Sequence, residues 1–78
     1  MNIKMYTSPT CPYCERAKEL LHSLNLEYDD INIEARPEER VKLIQEHNWM
    51  TTPAVFIDGE LIGGYDELAK MHAKGELK

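Results

Sequence analysis

The sequence predicts an α/β fold in which three helices flank a mixed four-stranded sheet, in the order βαβαββα. Short apolar stretches that read as strands are interleaved with longer stretches of helical spacing, which favours a right-handed βαβ unit at the start of the chain. An Asp-Gly pair between two further apolar stretches indicates a hairpin. The 78 residues are expected to form a single small domain, 1–78, because so short a chain has no room for a second core.

The first strand and the first helix are expected to enclose the cysteines. Residues 3–7 alternate in polarity and are followed by Ser8 and Pro9, so a short strand should end directly before the cysteine loop. From Cys14 onward, apolar side chains recur at helical spacing, which predicts a helix to about Leu24.

A strand and a helix are predicted next. Residues 26–33 carry β-branched and aromatic side chains, although two adjacent acids interrupt the alternation. Pro37 signals a helix start, and the glutamates that follow it suit a first helical turn. This helix is expected to end near His47 and Asn48.

The last part of the chain predicts a hairpin and a closing helix. Residues 54–57 are apolar, residues 60–62 are Glu-Leu-Ile, and between them stand Asp58 and Gly59, a pair that matches the twist of a two-residue hairpin turn. Residues 65–74 then begin with acids and continue with apolar residues on one face, which predicts a helix.

Both cysteines lie at the predicted start of the first helix, in the segment Cys11-Pro12-Tyr13-Cys14. Because Pro12 suits the first helical position, Cys11 is expected at the N-cap. There its sulfur faces unpaired amides and the positive end of the helix dipole, both of which favour the thiolate. Cys11 is therefore predicted to be the attacking sulfur, and Cys14, one turn further in, the thiol that resolves a mixed disulfide.

Two structural roles for the cysteine pair are disfavoured. A disulfide that closes so short a loop removes little entropy from the unfolded chain. A structural zinc site normally needs a second pair of ligands, whereas His22, His47 and His72 are dispersed along the chain. The sequence thus predicts a redox role and no metal.

The net charge of −5 and the absence of a Lys/Arg cluster argue against nucleic acid as a partner. The N-terminus has no apolar signal region, and no apolar stretch approaches membrane-spanning length, so no membrane partner is expected. We therefore expect the protein to be cytoplasmic, and in that compartment a CxxC pair is kept reduced. We also expect it to be a monomer.

Three motifs taken together resemble the glutaredoxins. They are Cys11-Pro12-Tyr13-Cys14, Thr51-Thr52-Pro53 before a strand, and Gly63-Gly64-Tyr65-Asp66-Glu67-Leu68. The first is similar to the family's dithiol class, the second to its Thr-Val-Pro with Thr52 in place of valine, and the third to its glutathione signature. The resemblance implies a thioredoxin fold and a glutathione-dependent reduction of protein disulfides and glutathionylated proteins, with glutathione as reducing cosubstrate and no bound cofactor.

The resemblance also implies a glutathione site. In the family the proline of the second motif is cis, which would leave the backbone of Thr52 open to pair with an extended substrate. The amides of Tyr65 and Asp66 would hold the γ-glutamyl carboxylate, while the Asp66 side chain pairs with the ammonium group. The glutathione-binding residues so implied are Tyr13, Arg40, Thr51, Thr52, Pro53, Gly64, Tyr65 and Asp66. Without the resemblance, a trans Pro53, an Asp66 that complements the helix dipole and a Tyr13 on the open surface would be expected.

The sequence departs from the family at two positions. Ser8 and Trp49 stand where the family often has basic residues that face the glycyl carboxylate of glutathione. Arg40 stands where the family commonly places a polar or basic side chain for that carboxylate; its alternative role is a solvated charge on the second helix. Trp49 is expected to be an apolar cap on the same helix.

Two other functions are left open. One is a thioredoxin-like dithiol reductase recharged by a flavoprotein reductase, which the missing lysine at position 8 favours and the Gly63-Gly64-Tyr65-Asp66 signature opposes. The other is an iron–sulfur cluster carrier, against which Pro12 argues, because cluster-binding glutaredoxins more often have a small or flexible residue there. Protein partners implied by the resemblance are disulfide-containing or glutathionylated proteins, with ribonucleotide reductase or a flavoprotein reductase as further candidates.

Overall fold

The computed structural model describes residues 2–49 and 51–77. Its elements follow the predicted order, and the helix bounds agree with the predicted ones to within one residue at their ends. The elements are β1 (Ile3–Thr7), α1 (Pro12–Ser23), β2 (Asp29–Asn32), α2 (Pro37–His47), β3 (Ala54–Ile57), β4 (Glu60–Gly63) and α3 (Tyr65–Ala73).

The sheet has the strand order β2-β1-β3-β4. β1 and β2 are parallel, whereas β3 runs antiparallel to both of its neighbours. The crossover through α1 therefore places Cys11 at the carboxyl end of β1, in the middle of the sheet. In open α/β sheets this is the edge where ligands bind.

The second strand is shorter than the predicted 26–33. Leu26 donates its N–H to the carbonyl oxygen of Leu21 (3.0 Å), which ties it to the end of α1 and delays the strand until Asp29–Asn32. At the other end, Ile33 already begins the turn into α2. The predicted strand was too long because hydrogen bonds at the end of a helix competed with an alternation that was weak from the outset.

The hairpin turn has the predicted geometry. Asp58 and Gly59 both have positive φ, +52° and +85°, and the flanking residues Ile57 and Glu60 face each other across the turn. A two-residue turn of this kind requires positive φ at both central positions, which Asp-Gly supplies at low cost. The turn lies at the end of the sheet opposite to Cys11, because Ile57 is paired with Ile3 at the start of β1.

The main core lies between the sheet and the two helices α1 and α3. Its buried members are Ile3, Met5, Ala17, Leu21, Val55, Ile57, Leu68 and Leu77. A smaller cluster of Leu43, Ala54 and Phe56 lies between α2 and the opposite face. Because β1 and β4 are both antiparallel to β3, they run in the same direction, and the helices that follow them, α1 and α3, begin at the same end of the sheet. Among the described helices, none combines the length and the hydropathy that crossing a membrane requires.

Candidate active site

Cys11 occupies the N-cap of α1, as Pro12 predicted. Its backbone is extended (φ −102°, ψ 110°), and its Sγ accepts a hydrogen bond from the backbone N–H of Cys14 at 3.3 Å. An N-cap side chain that accepts from the third helical amide satisfies one of the donors that a helix leaves unpaired. A negative charge on this sulfur is therefore stabilised by the helix itself.

The pKa of the Cys11 thiol is lower than its ordinary value. Partial burial alone would raise it, but hydrogen bonds from the Thr52 side chain, the Cys14 thiol and the amides of Cys14 and Tyr13 act in the opposite direction and outweigh the burial. Hydrogen bonds of this kind stabilise the thiolate, which is the nucleophilic form.

Cys14 has the opposite character. Its side chain is completely buried, and this burial together with its hydrogen bond to Cys11 raises the pKa of the thiol to about 11. Cys14 therefore stays a protonated thiol at neutral pH and can donate to the Cys11 sulfur. Both cysteines are unpaired in this structure, which is the reduced state of the dithiol.

The segment before β3 lies directly against Cys11. The Thr52-Pro53 peptide bond is cis, as the resemblance implied, and Pro53 is buried. The Thr52 carbonyl oxygen lies 3.4 Å from the Cys11 Sγ and accepts from the thiol. Because this bond is available only to the protonated form of Cys11, ionisation frees the carbonyl group of Thr52.

A cavity of about 230 Å³ opens beside Thr52 and is called the Thr52 cavity below. It brings together seven of the eight residues that were predicted to bind glutathione. Its lining consists of Tyr13, Trp49, Thr51, Thr52, Pro53, Gly64, Tyr65, Asp66 and Glu67. Arg40 is not one of these lining residues and lies exposed on α2. The role of Arg40 toward a glycyl carboxylate stays a prediction.

The N-terminus of α3 forms one wall of the Thr52 cavity. Gly64 is its N-cap, and the N–H of Gly64 donates to the Glu67 side chain at 2.7 Å. The first intrahelical bond runs from the N–H of Leu68 to the carbonyl oxygen of Gly64 (3.1 Å), so the amides of Tyr65 and Asp66 precede it. Such amides are suited to hold a carboxylate.

Glu67 belongs to the third motif, but the sequence reasoning gave its side chain no role in the site. Its side chain returns to the N-cap amide as in one half of a capping box, and an acid at the third helical position was the signal that could have found it. It also explains Gly63, whose φ is +134° and where an added Cβ would come within 2.7 Å of the Glu67 side chain.

Tyr13 is held at the rim of the Thr52 cavity. Its ring centroid lies 6.1 Å from that of Tyr65, and the Arg16 guanidinium lies 5.2 Å from the Tyr13 ring. A cation over an exposed ring contributes about 0.5–1 kcal/mol. Tyr13 therefore lies at the rim close to both Tyr65 and Arg16, although 52% of its surface is exposed.

Glu34 is a second residue that the sequence reasoning missed. Ser8, which the sequence analysis had not paired with any residue, donates its hydroxyl to the Glu34 carboxylate at 2.5 Å. The carbonyl oxygen of Ser8 in turn accepts from the N–H of Cys11 at 3.3 Å. Asn32, two residues before Glu34 and at the end of a predicted strand, was the signal for a turn that presents this carboxylate.

Outside the Cys11 region, the described part of the chain has no feature that resembles a redox or metal site. A larger cavity of about 860 Å³ near His22, Tyr28 and Asp29 contains neither cysteine. Within residues 2–49 and 51–77, no three His, Cys, Asp or Glu side chains are grouped so that they could hold a metal ion. Trp49, expected to be an apolar cap, packs against the smaller core cluster under α2.

Thr52→Val is expected to raise the pKa of Cys11. The substitution removes the hydroxyl that contributes to the low pKa and leaves the backbone contact in place. Because a hydrogen bond contributes a net of about 1 kcal/mol, alkylation of Cys11 by iodoacetamide near neutral pH should slow by roughly two- to fivefold. Thr51→Val, at the exposed neighbouring position, is the matched control. An unchanged pH profile of alkylation in Thr52→Val would show that its hydroxyl does not act on the sulfur.

Comparisons with known proteins agree with this geometry. The sequence matches the glutaredoxin family model over residues 3–62. It is 40% identical to glutaredoxin 3 of Escherichia coli (strain K12) over 76 residues, which cover 97% of this chain and 92% of the relative. It is 36% identical to a glutaredoxin of Neisseria meningitidis serogroup A over 76 residues, which cover 96% of this chain and 89% of the relative.

Solved structures of the same kind superpose well. The crystal structure of a buckwheat glutaredoxin–glutathione complex matches with a TM-score of 0.89 at 31% identity, over 96% of this chain and 71% of that one. The holo form of glutaredoxin C1 from Populus tremula x tremuloides matches with a TM-score of 0.88 at 28% identity, over 96% and 77% of the two chains. The thioredoxin fold predicted from the sequence is thereby confirmed.

Proposed function

The chain belongs to the glutaredoxin family of thiol-disulfide oxidoreductases, and we propose that it reduces glutathione mixed disulfides and protein disulfides with glutathione as the electron donor. The observation that carries this proposal is the position of Cys11. Its sulfur, with a lowered pKa, lies at the start of α1 and against Thr52, whose cavity presents amides and a carboxylate suited to a zwitterionic peptide.

The monothiol route uses Cys11 alone. The Cys11 thiolate attacks the glutathionyl sulfur of a mixed disulfide, and the protein thiolate leaves and takes a proton from solvent. A second glutathione thiolate then attacks the glutathionyl sulfur bound to Cys11, releasing glutathione disulfide and restoring the Cys11 thiolate. Two glutathione molecules end as one disulfide, and the substrate gains one thiol. The low pKa helps Cys11 to leave in the second step.

The dithiol route adds Cys14. After Cys11 has formed a mixed disulfide with a protein substrate, Cys14 loses its proton and attacks Cys11, which releases the substrate thiolate and leaves a Cys11–Cys14 disulfide. Attack by one glutathione and then by a second restores the dithiol. The raised pKa of Cys14 slows this attack until its proton is removed.

The proposed binding site for glutathione is the Thr52 cavity. Its cysteinyl backbone would pair with Thr52 in the manner of an added strand, which brings its sulfur to Cys11. Its γ-glutamyl carboxylate would accept from the amides of Tyr65 and Asp66, and its ammonium group would pair with the Asp66 carboxylate. The resemblance to the buckwheat complex supports this placement.

Turnover of a glutathione mixed disulfide with glutathione as the sole reductant tests the proposal. We expect multiple turnovers, followed through the glutathione disulfide that is formed. The second candidate, a dithiol reductase recharged by a flavoprotein, is favoured by the lining of the Thr52 cavity, whose described residues include Asp66 and Glu67 but no Lys or Arg. Turnover with thioredoxin reductase and NADPH but not with glutathione would establish that candidate instead.

Asp66→Asn is expected to raise the KM for glutathione by about two- to tenfold with little change in kcat, because it removes one ion pair at a partly exposed site. The reference is Asp29→Asn, the same change at an exposed residue whose register partner is Lys4, near the start of β1 and away from Cys11. Equal KM values for glutathione in the two variants would show that the Asp66 carboxylate does not bind glutathione.

The cellular location and the oligomeric state of the enzyme are part of the same proposal. The catalytic cycle starts from the reduced dithiol, which persists where thiols are kept reduced. We therefore propose that the enzyme is located in the cytoplasm. We also propose that it acts as a monomer, since the thiol chemistry described above uses residues of one chain only.

A further inference from the structure

Glu34 is fixed next to the cysteine loop although it lies far from it in the sequence. Its backbone N–H donates to the Asn32 side chain at 2.8 Å, and the neighbouring Ile33 N–H donates to the carbonyl oxygen of Thr7 at 3.0 Å. These bonds hold the turn after β2 against the end of β1. Ser8 then holds the carboxylate itself, with its hydroxyl 2.5 Å from the Glu34 oxygen.

The link from Glu34 to the nucleophile is short. Ser8 and Cys11 are joined by a backbone hydrogen bond across a tight turn, which places their Cα atoms within about 7 Å of each other. These two hydrogen bonds fix the Glu34 carboxylate beside the loop that carries the attacking sulfur. Among the described residues, the ion pairs involve Lys18 and Lys42, and none of them neutralises Glu34.

Carboxylates outnumber cations around Cys11. Asp66 and Glu67 line the Thr52 cavity, and Glu34 adds a third carboxylate at the Ser8 turn. Arg16 lies at the same rim, 5.2 Å from the Tyr13 ring, and offsets one of these three negative charges. A substrate that approaches Cys11 with anionic side chains meets repulsion, whereas one with cationic side chains is attracted.

We propose that Glu34 is a specificity-determining residue that directs the enzyme toward disulfides whose cysteine is flanked by Lys or Arg. This preference rests on Cys11 being the attacking sulfur, as in the proposed function, but not on glutathione being the reductant. It acts in the first step, in which the Cys11 thiolate attacks one sulfur of the substrate disulfide and the other sulfur leaves as a thiolate. Glu34 neither gains nor loses a proton in that step.

Single-turnover reduction by the prereduced enzyme, with no glutathione present, tests the preference. The probes are two synthetic peptide disulfides of equal length, one with lysines and one with glutamates on both sides of the cysteine. Their intrinsic reactivities cancel when the ratio of the two rates is compared between enzyme variants. In Glu34→Gln, which keeps an acceptor for Ser8, we expect the lysine-to-glutamate rate ratio to fall roughly three- to tenfold at low salt.

Salt and a matched variant complete the experiment. At ~0.5 M salt the ratios of wild type and Glu34→Gln should converge, because interactions between exposed charges are then largely screened. Glu60→Gln removes the same charge at the hairpin end of the sheet and should leave the ratio unchanged. An unchanged ratio in Glu34→Gln, or an equal fall in Glu60→Gln, would overturn this inference about Glu34 but would leave the proposed function standing. No reduction of either peptide by the wild type would overturn the assignment of the dithiol and the inference with it.

Discussion

Cys11→Ser is expected to abolish both removal of glutathione from mixed disulfides and reduction of protein disulfides. The serine hydroxyl stays protonated at neutral pH, and the N-cap position stabilises an anion that serine cannot supply there. Cys14 cannot take over, because its side chain is completely buried and its pKa is raised to about 11. Both assays should therefore fall to the rate measured without enzyme.

Folding provides the control for this variant. Serine is close to cysteine in size and is itself a favoured N-cap residue, so the free energy of unfolding should change by less than ~1.5 kcal/mol. Denaturant titration of wild type and variant measures that change. Turnover clearly above background in a folded Cys11→Ser protein would mean that another group attacks the disulfide.

Local chemistry made much of the fold predictable. Pro12 and Pro37 mark the first residues of two helices, and the Asp58-Gly59 turn requires the positive φ that those two residues tolerate. At these points the conformation depends on residues that are adjacent in the sequence. The predictions of α1, α2 and the hairpin therefore agree with the structure.

The second strand shows where such reasoning fails. Its residues have a weak alternation, and hydrogen bonds from Leu26 back to α1 decide where the strand begins. Whether a short segment pairs with β1 or closes the preceding helix depends on contacts that sequence alone does not reveal.

The candidate site divides in the same way. The position of Cys11 followed from Pro12, whereas the cis bond at Pro53 was implied only by the resemblance, because trans is the commoner form of an X-Pro bond. Glu34 and Glu67 were missed because each acts through one long-range or returning hydrogen bond, to Ser8 and to the Gly64 amide. The spacing of residues in a sequence does not show where a flexible side chain is directed.

Cys14→Ser is expected to separate the two activities. Removal of glutathione from mixed disulfides needs only Cys11 and should keep most of its rate. The rate of protein disulfide reduction through the dithiol route should fall to a small fraction of the wild-type rate. The measurement is a parallel assay of a glutathione mixed disulfide and a protein disulfide, each with glutathione as reductant. Equal losses in both assays would contradict the assignment of Cys14 as the resolving thiol.

Cys14→Ala is the matched variant, because it also removes the resolving sulfur but leaves no donor for Cys11. The Cys14 thiol donates a hydrogen bond that lowers the pKa of Cys11, and a serine hydroxyl can replace that donor whereas a methyl group cannot. Lowering of a thiol pKa raises its thiolate fraction near neutrality, so loss of the donor should move the pH profile of deglutathionylation to higher pH in Cys14→Ala but not in Cys14→Ser. Both variants should lose the dithiol route to the same extent. If their pH profiles coincide, Cys14 acts on Cys11 only as a resolving thiol, and the low pKa of Cys11 is maintained by Thr52 and the helix amides.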